Sequence, residues 1–193
     1  MTTRYKIILI IIYTIGMSNF SSAQKYNTGF ACVNGTAEIL GVANDTAFKA
    51  ISHECEVTFK SKNHQLLISI PVGTFVDGHP KIDSIFNSLA ETKIKITGQI
   101  EGGIFELYKE ENSDHDFTTY GTVVIGNQIQ NVTMFYRIYR SPYQRSSNTT
   151  NSDIGSMLLD LNLFLNPSDI DSNGYFSNPI EMLIVGAYIN HIN

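Results

Sequence analysis

The segments HQLLISIPV (residues 64–72) and ETKIKITGQI (residues 91–100) alternate apolar and polar side chains along most of their length. A period of two residues places successive side chains on opposite faces of a strand. The two segments therefore predict β-strands that each have one dry and one wet face. The apolar positions on the dry faces are Leu66, Ile68, Ile70 and Val72 in the first segment, and Ile94, Ile96 and Ile100 in the second.

Between these strands, the segment PKIDSIFNSLAET (residues 80–92) has a helical pattern. Its apolar side chains follow i, i+3, i+4, i+7 spacing, at Ile82, Ile85, Phe86 and Leu89. That spacing places them on one side of a helix. A β protein that interrupts its sheet with one amphipathic helix indicates a barrel closed at one end, so a ligand-holding barrel is the leading interpretation.

Short apolar–polar segments recur through the rest of the chain and predict further strands. The complete set is expected at residues 36–42, 48–51, 56–60, 65–72, 93–101, 104–109, 117–125, 129–140, 157–165 and 180–190. Gly126-Asn127 indicates a tight hairpin turn, residues 24–34 a loose lead-in, and residues 141–152 an exposed polar loop. Many short strands with one helix favour an all-β antiparallel barrel over alternating strands and helices.

The N-terminus has the pattern of a secretory signal. Basic residues, an apolar run and small residues follow one another, at Arg4 and Lys6, residues 7–16 and residues 21–23. The apolar run is shorter than the roughly 20 residues that cross a bilayer, so we expect cleavage and no stable membrane span afterwards. Residues 1–23 are predicted to be a signal peptide, and residues 24–193 one barrel domain that is periplasmic or secreted.

The charge and motif content argue against two classes of function. The formal net charge is −5 and Lys and Arg are not strongly clustered, so nucleic acid is a poor partner because an acidic surface repels phosphate backbones. The chain has no Gly-x-Ser-x-Gly sequence, no phosphate-binding loop and no pair of His residues at helical spacing. Nothing here supports an enzyme, and no cofactor or catalytic residue is predicted.

Cys32 and Cys55 are the two cysteines of the chain. An oxidising compartment permits them to form a disulfide. The sequence leaves open whether they pair, because it does not show that their Cα atoms lie within the ~7 Å that a disulfide tolerates. Their spacing is not that of a metal site.

The segment DIDSNGY (residues 169–175) starts like a calcium-binding loop. Asp169, Asp171 and Asn173 take the places of its first, third and fifth residues, and a glycine follows. The acidic ligand that should end such a loop is missing, because Ile180 stands there, and no helix is predicted on either side. The pattern favours an Asx-rich turn, with calcium binding as the weaker alternative.

The segment MLLDLNLFL (residues 157–165) presents a row of long aliphatic side chains on one face. The row consists of Met157, Leu159, Leu161, Leu163 and Leu165. Such a row fills a core or lines an apolar tunnel, and periodicity alone does not separate the two interpretations.

In their order along the chain, several motifs resemble those of the YceI-like family of exported bacterial lipid-binding proteins. The similar segments are GTAEILGVANDTAFKAIS (35–52), LLISIPVGTF (66–75), IDSIFNSLAE (82–91), TKIKITGQI (92–100), YGTVVIGNQIQNVTMFYRIY (120–139), GSMLLDLNLFLNPSDI (155–170) and IEMLIVGAYIN (180–190). The chain departs from the family pattern in its helix, which lacks a Met-x-x-His-Phe run, and in having no proline before the following strand.

The resemblance implies an extended, lipocalin-like antiparallel β-barrel that binds a long-chain lipid, such as a polyisoprenoid or a fatty-acid derivative, without catalysis. The predicted lipid-lining residues come from the apolar faces: Leu66, Ile68, Ile70, Phe75, Phe86, Ile94, Ile96, Leu159, Leu161 and Leu163. The alternative function is a surface interaction module with a filled core, assisted by calcium. The sequence leaves a homodimer open.

Overall fold

Eight antiparallel strands close into a barrel in which each strand pairs with its neighbours in the sequence and β1 pairs with β8. The computed structural model describes residues 29–60, 62–100, 115–140 and 157–192. Its elements are β1 (Gly29–Ala43), β2 (Thr46–Lys60), β3 (Gln65–Pro71), α1 (Pro80–Ser88), β4 (Lys93–Gln99), β5 (His115–Ile125), β6 (Gln128–Arg140), β7 (Met157–Leu165) and β8 (Phe176–Ile192). Short 3-10 turns, Val72–Thr74 and Pro167–Asp169, follow β3 and β7.

Three predictions concern segments that the structure leaves undescribed. The signal peptide of residues 1–23, the strand at residues 104–109 and the loop at residues 141–152 lie outside the described residues. Within the described ranges, no helix has the length and apolar character that a membrane crossing by a helix requires.

The predicted fold class is confirmed, because the described strands form a closed antiparallel barrel and α1 lies between β3 and β4. The ring closes where β1 runs antiparallel to β8, from Gly29 opposite Ile192 to Ala43 opposite Phe176. The sheet therefore has no free edge here, and the paired main-chain groups of β1 and β8 find their partners across this joint.

Tight turns connect strands at the end of the barrel near α1. Asn44 and Asp45 join β1 to β2, and their φ angles of 46° and 62° are the left-handed values that a two-residue hairpin turn uses. The predicted turn between β5 and β6 is also present, with Gly126 at a φ of 58°. These short connections bring the paired strands into register without an intervening loop.

The apolar faces predicted from the alternation point into the barrel. In β3, β4 and β7, the inward side chains are buried and the outward ones are half-buried or exposed. Buried apolar side chains from all the strands and from α1 belong to one contiguous core. Burying a Leu or Ile side chain stabilises the fold by roughly 1.5–3 kcal/mol, so this alternation supplies most of the driving force for closure.

Phenylalanine rings fill the end of the barrel beneath α1. Phe86 of α1 lies between Phe75 and Phe176, with ring centroids 5.6 Å and 5.9 Å from its own. Phe48 of β2 stacks on Phe176 at 4.9 Å. Rings at these separations attract one another beyond the effect of burial alone. We call these four side chains the aromatic plug, because they block this end of the interior.

Hydrogen bonds fix α1 across the same end. Asp83 Oδ1 accepts hydrogen bonds from the main-chain N–H groups of Asp77 (2.8 Å) and Gly78 (3.3 Å). Immediately before them, Val76 exchanges main-chain hydrogen bonds of 2.9 Å and 3.0 Å with Ile51 of β2. The segment between β3 and α1 therefore extends the sheet for one bridge before it turns over the barrel end.

The first difference from the prediction lies at the start of β1. Residues 24–34 are expected to be loose, but β1 already begins at Gly29. The main chain of Phe30 pairs with Phe59 of β2 on one side and with His191 of β8 on the other. Pairing on both sides holds a segment extended even where its own sequence shows no strand pattern.

The second difference concerns β2, which runs unbroken where separate strands are predicted at residues 48–51 and 56–60. The intervening polar residues look like a break in the sequence. In the structure, Ser52 points inward and its hydroxyl hydrogen-bonds to the hydroxyl of Thr74 at 2.5 Å. The next two side chains, His53 and Glu54, are both exposed at an irregularity in the strand.

The aromatic plug predicts a large difference between neighbouring positions of α1. Phe86→Ala should lower the free energy of unfolding by about 3–5 kcal/mol, because it removes a buried ring and leaves a cavity. Asn87→Ala, at the exposed neighbouring position, should change it by less than about 0.5 kcal/mol. Urea denaturation of both variants measures the difference, and equal effects would contradict the position of Phe86 in the core.

Candidate functional site in the barrel interior

Most of the predicted lipid-lining residues lie on two walls of the interior. On β3 and β4 they are cross-strand neighbours, with Ile68 opposite Ile96 and Ile70 opposite Ile94. The others belong to β7, which is separated from β4 by β5 and β6 around the ring. The wall residues are all buried, at Leu66, Ile68, Ile70, Ile94, Ile96, Leu159, Leu161 and Leu163.

The two predicted phenylalanines take a different place from the wall residues. Phe75 and Phe86 are also fully buried, but both belong to the aromatic plug at the end covered by α1. They therefore close the interior rather than line its length. A ligand in the barrel would meet these rings at its innermost point.

A further part of the interior, which the sequence did not reveal, is lined by small side chains. Ala37 of β1 lies opposite Ser52 of β2, and Ala50 and Cys55 point inward on either side of Ser52. Ala187 of β8 is buried beside this pair of strands. Each of these small inward side chains occupies less of a narrow eight-stranded barrel than a leucine or isoleucine would, and neighbouring side chains cover them completely. We call these five residues the small-residue wall.

Two paired glycines make a recess that a methionine occupies. Gly98 of β4 lies opposite Gly121 of β5, and the fully buried side chain of Met134 from β6 reaches over both. A Cβ atom at either glycine would collide with the terminal methyl group of Met134. The unbranched thioether adapts its shape more readily than a branched side chain does. At this point the interior wall is formed by an unbranched side chain lying over two residues that have none.

Polar contacts inside the described part of the barrel are few and already satisfied. Ser52 and Asp171 are the buried polar side chains among the described residues. Thr74 donates a hydrogen bond of 2.7 Å to the carbonyl of Pro71, which leaves its oxygen to accept from Ser52. These walls consist mainly of hydrocarbon and sulfur, the Ser52 hydroxyl is bonded to Thr74, and the described wall residues carry no buried charge.

The loop that starts like a calcium site is held by its own hydrogen bonds. The carboxylate of Asp171 accepts from the main-chain N–H groups of Asn173 (3.1 Å) and Tyr175 (2.5 Å), which is an Asx-type turn. Asp169 lies in the preceding 3-10 turn. Among the residues that the structure describes, no three His, Cys, Asp or Glu side chains are grouped so that they could hold a metal ion.

Both cysteines are buried free thiols on neighbouring strands of the barrel wall. Cys55 lies opposite Gly35 of β1, and the Cys32 sulfur is 3.5 Å from the position that a Cβ on Gly35 would take. Burial raises the pKa of Cys32, and burial with the nearby Cys32 and Glu56 raises the pKa of Cys55 to about 12. The sequence left open whether these cysteines pair, and both are free thiols in this structure.

The outside of the barrel carries polar contacts that join neighbouring strands. Arg137 of β6 binds Asp116 of β5 through two hydrogen bonds of 2.6 Å and 3.0 Å, and the bonded guanidinium holds the pKa of the Asp116 carboxyl below its usual range. Asp160 Oδ1 accepts a hydrogen bond of 2.6 Å from the main-chain N–H of Gly186. That contact fixes an irregularity in β8, where Gly186 has a φ of 56°.

Comparison with known proteins adds one finding about the fold. No family model matches the chain, and no curated protein matches its sequence at a significant level. Among solved structures, it is similar to a polyisoprenoid binding domain from Saccharophagus degradans implicated in plant cell wall breakdown, with a TM-score of 0.58 and 7% identity. The match covers 87% of this chain and 100% of that domain. The two chains share a fold.

The glycine recess makes a testable prediction about packing. Gly98→Ala should destabilise the protein by about 1–2 kcal/mol, because the new methyl group displaces the buried side chain of Met134. In a Met134→Ala background, Gly98→Ala should lower the free energy of unfolding by less, because the Met134 methyl group that it would meet is gone. Denaturation of the single and double variants measures this coupling.

Gly121→Ala is the matched control for that cycle. Its new methyl group would also meet the main-chain oxygen of Thr97, which Met134→Ala does not move. We therefore expect the cost of Gly121→Ala to persist in the Met134→Ala background. Equal rescue at both glycines would contradict the described recess.

The raised thiol pKa values predict slow alkylation of the reduced, folded protein. Because the thiolate is the reactive form, iodoacetamide at pH 8 should label Cys55 in the folded protein far more slowly than the same residue in protein unfolded by guanidinium. Labelling should accelerate as the pH rises towards about 12, provided the protein stays folded. Mass spectrometry of labelled peptides gives the rates, and rapid labelling at pH 8 would show that the thiols are accessible.

Proposed function

We propose that this protein is a non-catalytic binding protein that holds a long-chain lipid, such as a polyisoprenoid or a fatty-acid derivative, inside its barrel. The observation that carries the proposal is the interior itself. It is apolar along the described walls, closed by the aromatic plug at one end, and lined on one side by small residues. An elongated hydrocarbon chain is the ligand class that such walls fit best.

The free energy for binding would come from removing the chain of the lipid from water. Apolar surface gains about 25 cal/mol for each Å² that is buried. No hydrogen bond to the walls is required, so selectivity would follow from the length and thickness of the chain. The aromatic plug sets the limit of the interior at the end covered by α1.

The structural neighbour supports the same ligand class. That domain is described as polyisoprenoid binding, and it shares the fold of this chain although few residues are identical. Together with the order of the sequence motifs, this supports membership of the YceI-like family. The signal-like N-terminus further supports export to the periplasm or the exterior, where a soluble carrier would shield a lipid from water.

The direct test is to express the protein through an export route and to analyse its organic extract by mass spectrometry. We expect one long-chain lipid species in stoichiometric amount. A protein that carries no lipid and also refuses added fatty acids and polyprenols would contradict the proposal. That result would favour the filled-core interaction module.

A single wall position can show that the lipid lies inside. Ile96→Trp adds volume to the wall and should lower lipid affinity at least tenfold while the fold is retained, and Ile96→Arg should abolish binding. Lys95→Ala, at the exposed neighbouring position of β4, is the control and should bind as the wild type does. Folding is checked by circular dichroism, and unchanged affinity in a folded Ile96→Trp variant would place the ligand elsewhere.

A further inference from the structure

The main-chain ladder between β6 and β7 stops part-way along both strands. It joins residues 135–140 of β6 to residues 157–162 of β7, within the described residues of each strand. Both strands continue towards the end covered by α1, as residues 128–134 of β6 and 163–165 of β7. Over these residues β6 remains paired with β5, and β7 with β8. We call this interrupted joint the β6–β7 seam.

A glutamine side chain bridges the seam in place of the missing ladder. Gln130 Nε2 donates a hydrogen bond of 3.1 Å to the carbonyl of Phe164. Gln130 Oε1 accepts one of 3.0 Å from the main-chain N–H of Asn166. The side-chain amide thus takes the position of a peptide group from β6. A side chain can rotate away from these partners, whereas the paired main chain cannot leave without distorting the strand.

Apolar side chains flank the seam on its outer surface. Ile129 of β6 is 72% exposed, and Phe135 of β6 and Phe164 of β7 are each 49% exposed. Single exposed apolar residues are ordinary, but these three stand along both sides of the same interruption. Directly inside the seam, Met134 and Leu163 are fully buried. Hydrocarbon therefore lines both the outer and the inner side of the wall along the seam.

Local opening should be easiest where the fewest main-chain hydrogen bonds must break. The paired part of this joint is held by ladder bonds, whereas the seam is held by the two hydrogen bonds of Gln130 and by side-chain packing. The nearer end of the barrel offers no alternative path, since the aromatic plug and α1 cover it. Met134 lies behind the seam on a recess that already accommodates a flexible side chain.

We propose that the β6–β7 seam is a lateral entrance for the hydrocarbon chain of the lipid, with Gln130 as its latch. This inference rests on the proposed lipid-binding function. The chain would first contact Ile129, Phe135 and Phe164 and then pass between the strands as Gln130 releases Phe164 and Asn166. When the latch closes again, the lipid is separated from water by a continuous wall.

The latch predicts a change in rate without a change in affinity. The rates are measured with phosphatidylcholine vesicles that contain a fluorescent long-chain fatty acid. The Gln130→Ala variant should take up and release this fatty acid about ten times faster than the wild type does. The dissociation constant should stay within a factor of two, because the variant alters the barrier and not the interior. Gln128→Ala, an exposed glutamine in the same strand, should exchange lipid at the wild-type rate.

Cross-linking across the seam is the complementary test. Continuing the register of the ladder would place Thr133 near Phe164, so Thr133→Cys/Phe164→Cys joined by a short bismaleimide should slow lipid uptake at least tenfold. The control pair, Tyr139→Cys/Leu158→Cys, lies directly opposite within the paired part of the same strands. Its cross-link should leave the rate unchanged. The native thiols are buried, which favours reaction at the introduced cysteines.

The outcomes separate this inference from the function on which it rests. Lipid binding with rates that neither Gln130→Ala nor the seam cross-link alters would overturn the lateral entrance and leave the lipid-binding function intact. Failure of the wild-type protein to bind any of the lipids offered would overturn both. If Gln130→Ala does not fold, the cross-linked pair decides the question, because it can be compared with its own uncross-linked form.

Discussion

Closure of the sheet is the constraint on which the rest of this structure depends. β1 must pair with β2 on one side and with β8 on the other. Irregularities in the strand pairing near Gly35 and Gly41 allow β1 to stay in register with both neighbours. Once the ring is closed, the tilt and stagger of its strands fix the width of the interior. Every inward side chain then competes for the same narrow space, so replacing one leucine by alanine changes what the barrel can hold.

The fold was more predictable than the details of the site. Strict alternation in β3, β4 and β7 and helical spacing in α1 report directly on burial, because each pattern has only one face that can be dry. The continuity of β2 was missed because Ser52 finds its partner in Thr74, a residue distant in sequence. Contacts of this kind depend on cross-strand placement, which a sequence pattern does not contain.

The same limit explains which parts of the interior were overlooked. Alanine, serine and cysteine carry a weak hydrophobic signal, so the small-residue wall was not distinguishable from ordinary strand positions. Gln130 looked like any polar strand residue, although its amide bridges Phe164 and Asn166. The long aliphatic walls, by contrast, were identified correctly as inward-facing. Identity of only 7% with a domain of the same fold shows that pattern, rather than particular residues, specifies this barrel.

The pairing of Gly29 with Ile192 makes the first and last strands immediate neighbours at the end opposite α1. In a ring of strands, the point at which the chain begins is therefore topologically arbitrary. Joining the two strand ends by a short linker and reopening the chain at the Asn44–Asp45 turn would preserve every strand pair. The fold can thus be regarded as a circular arrangement of strands that the natural sequence happens to cut between β8 and β1.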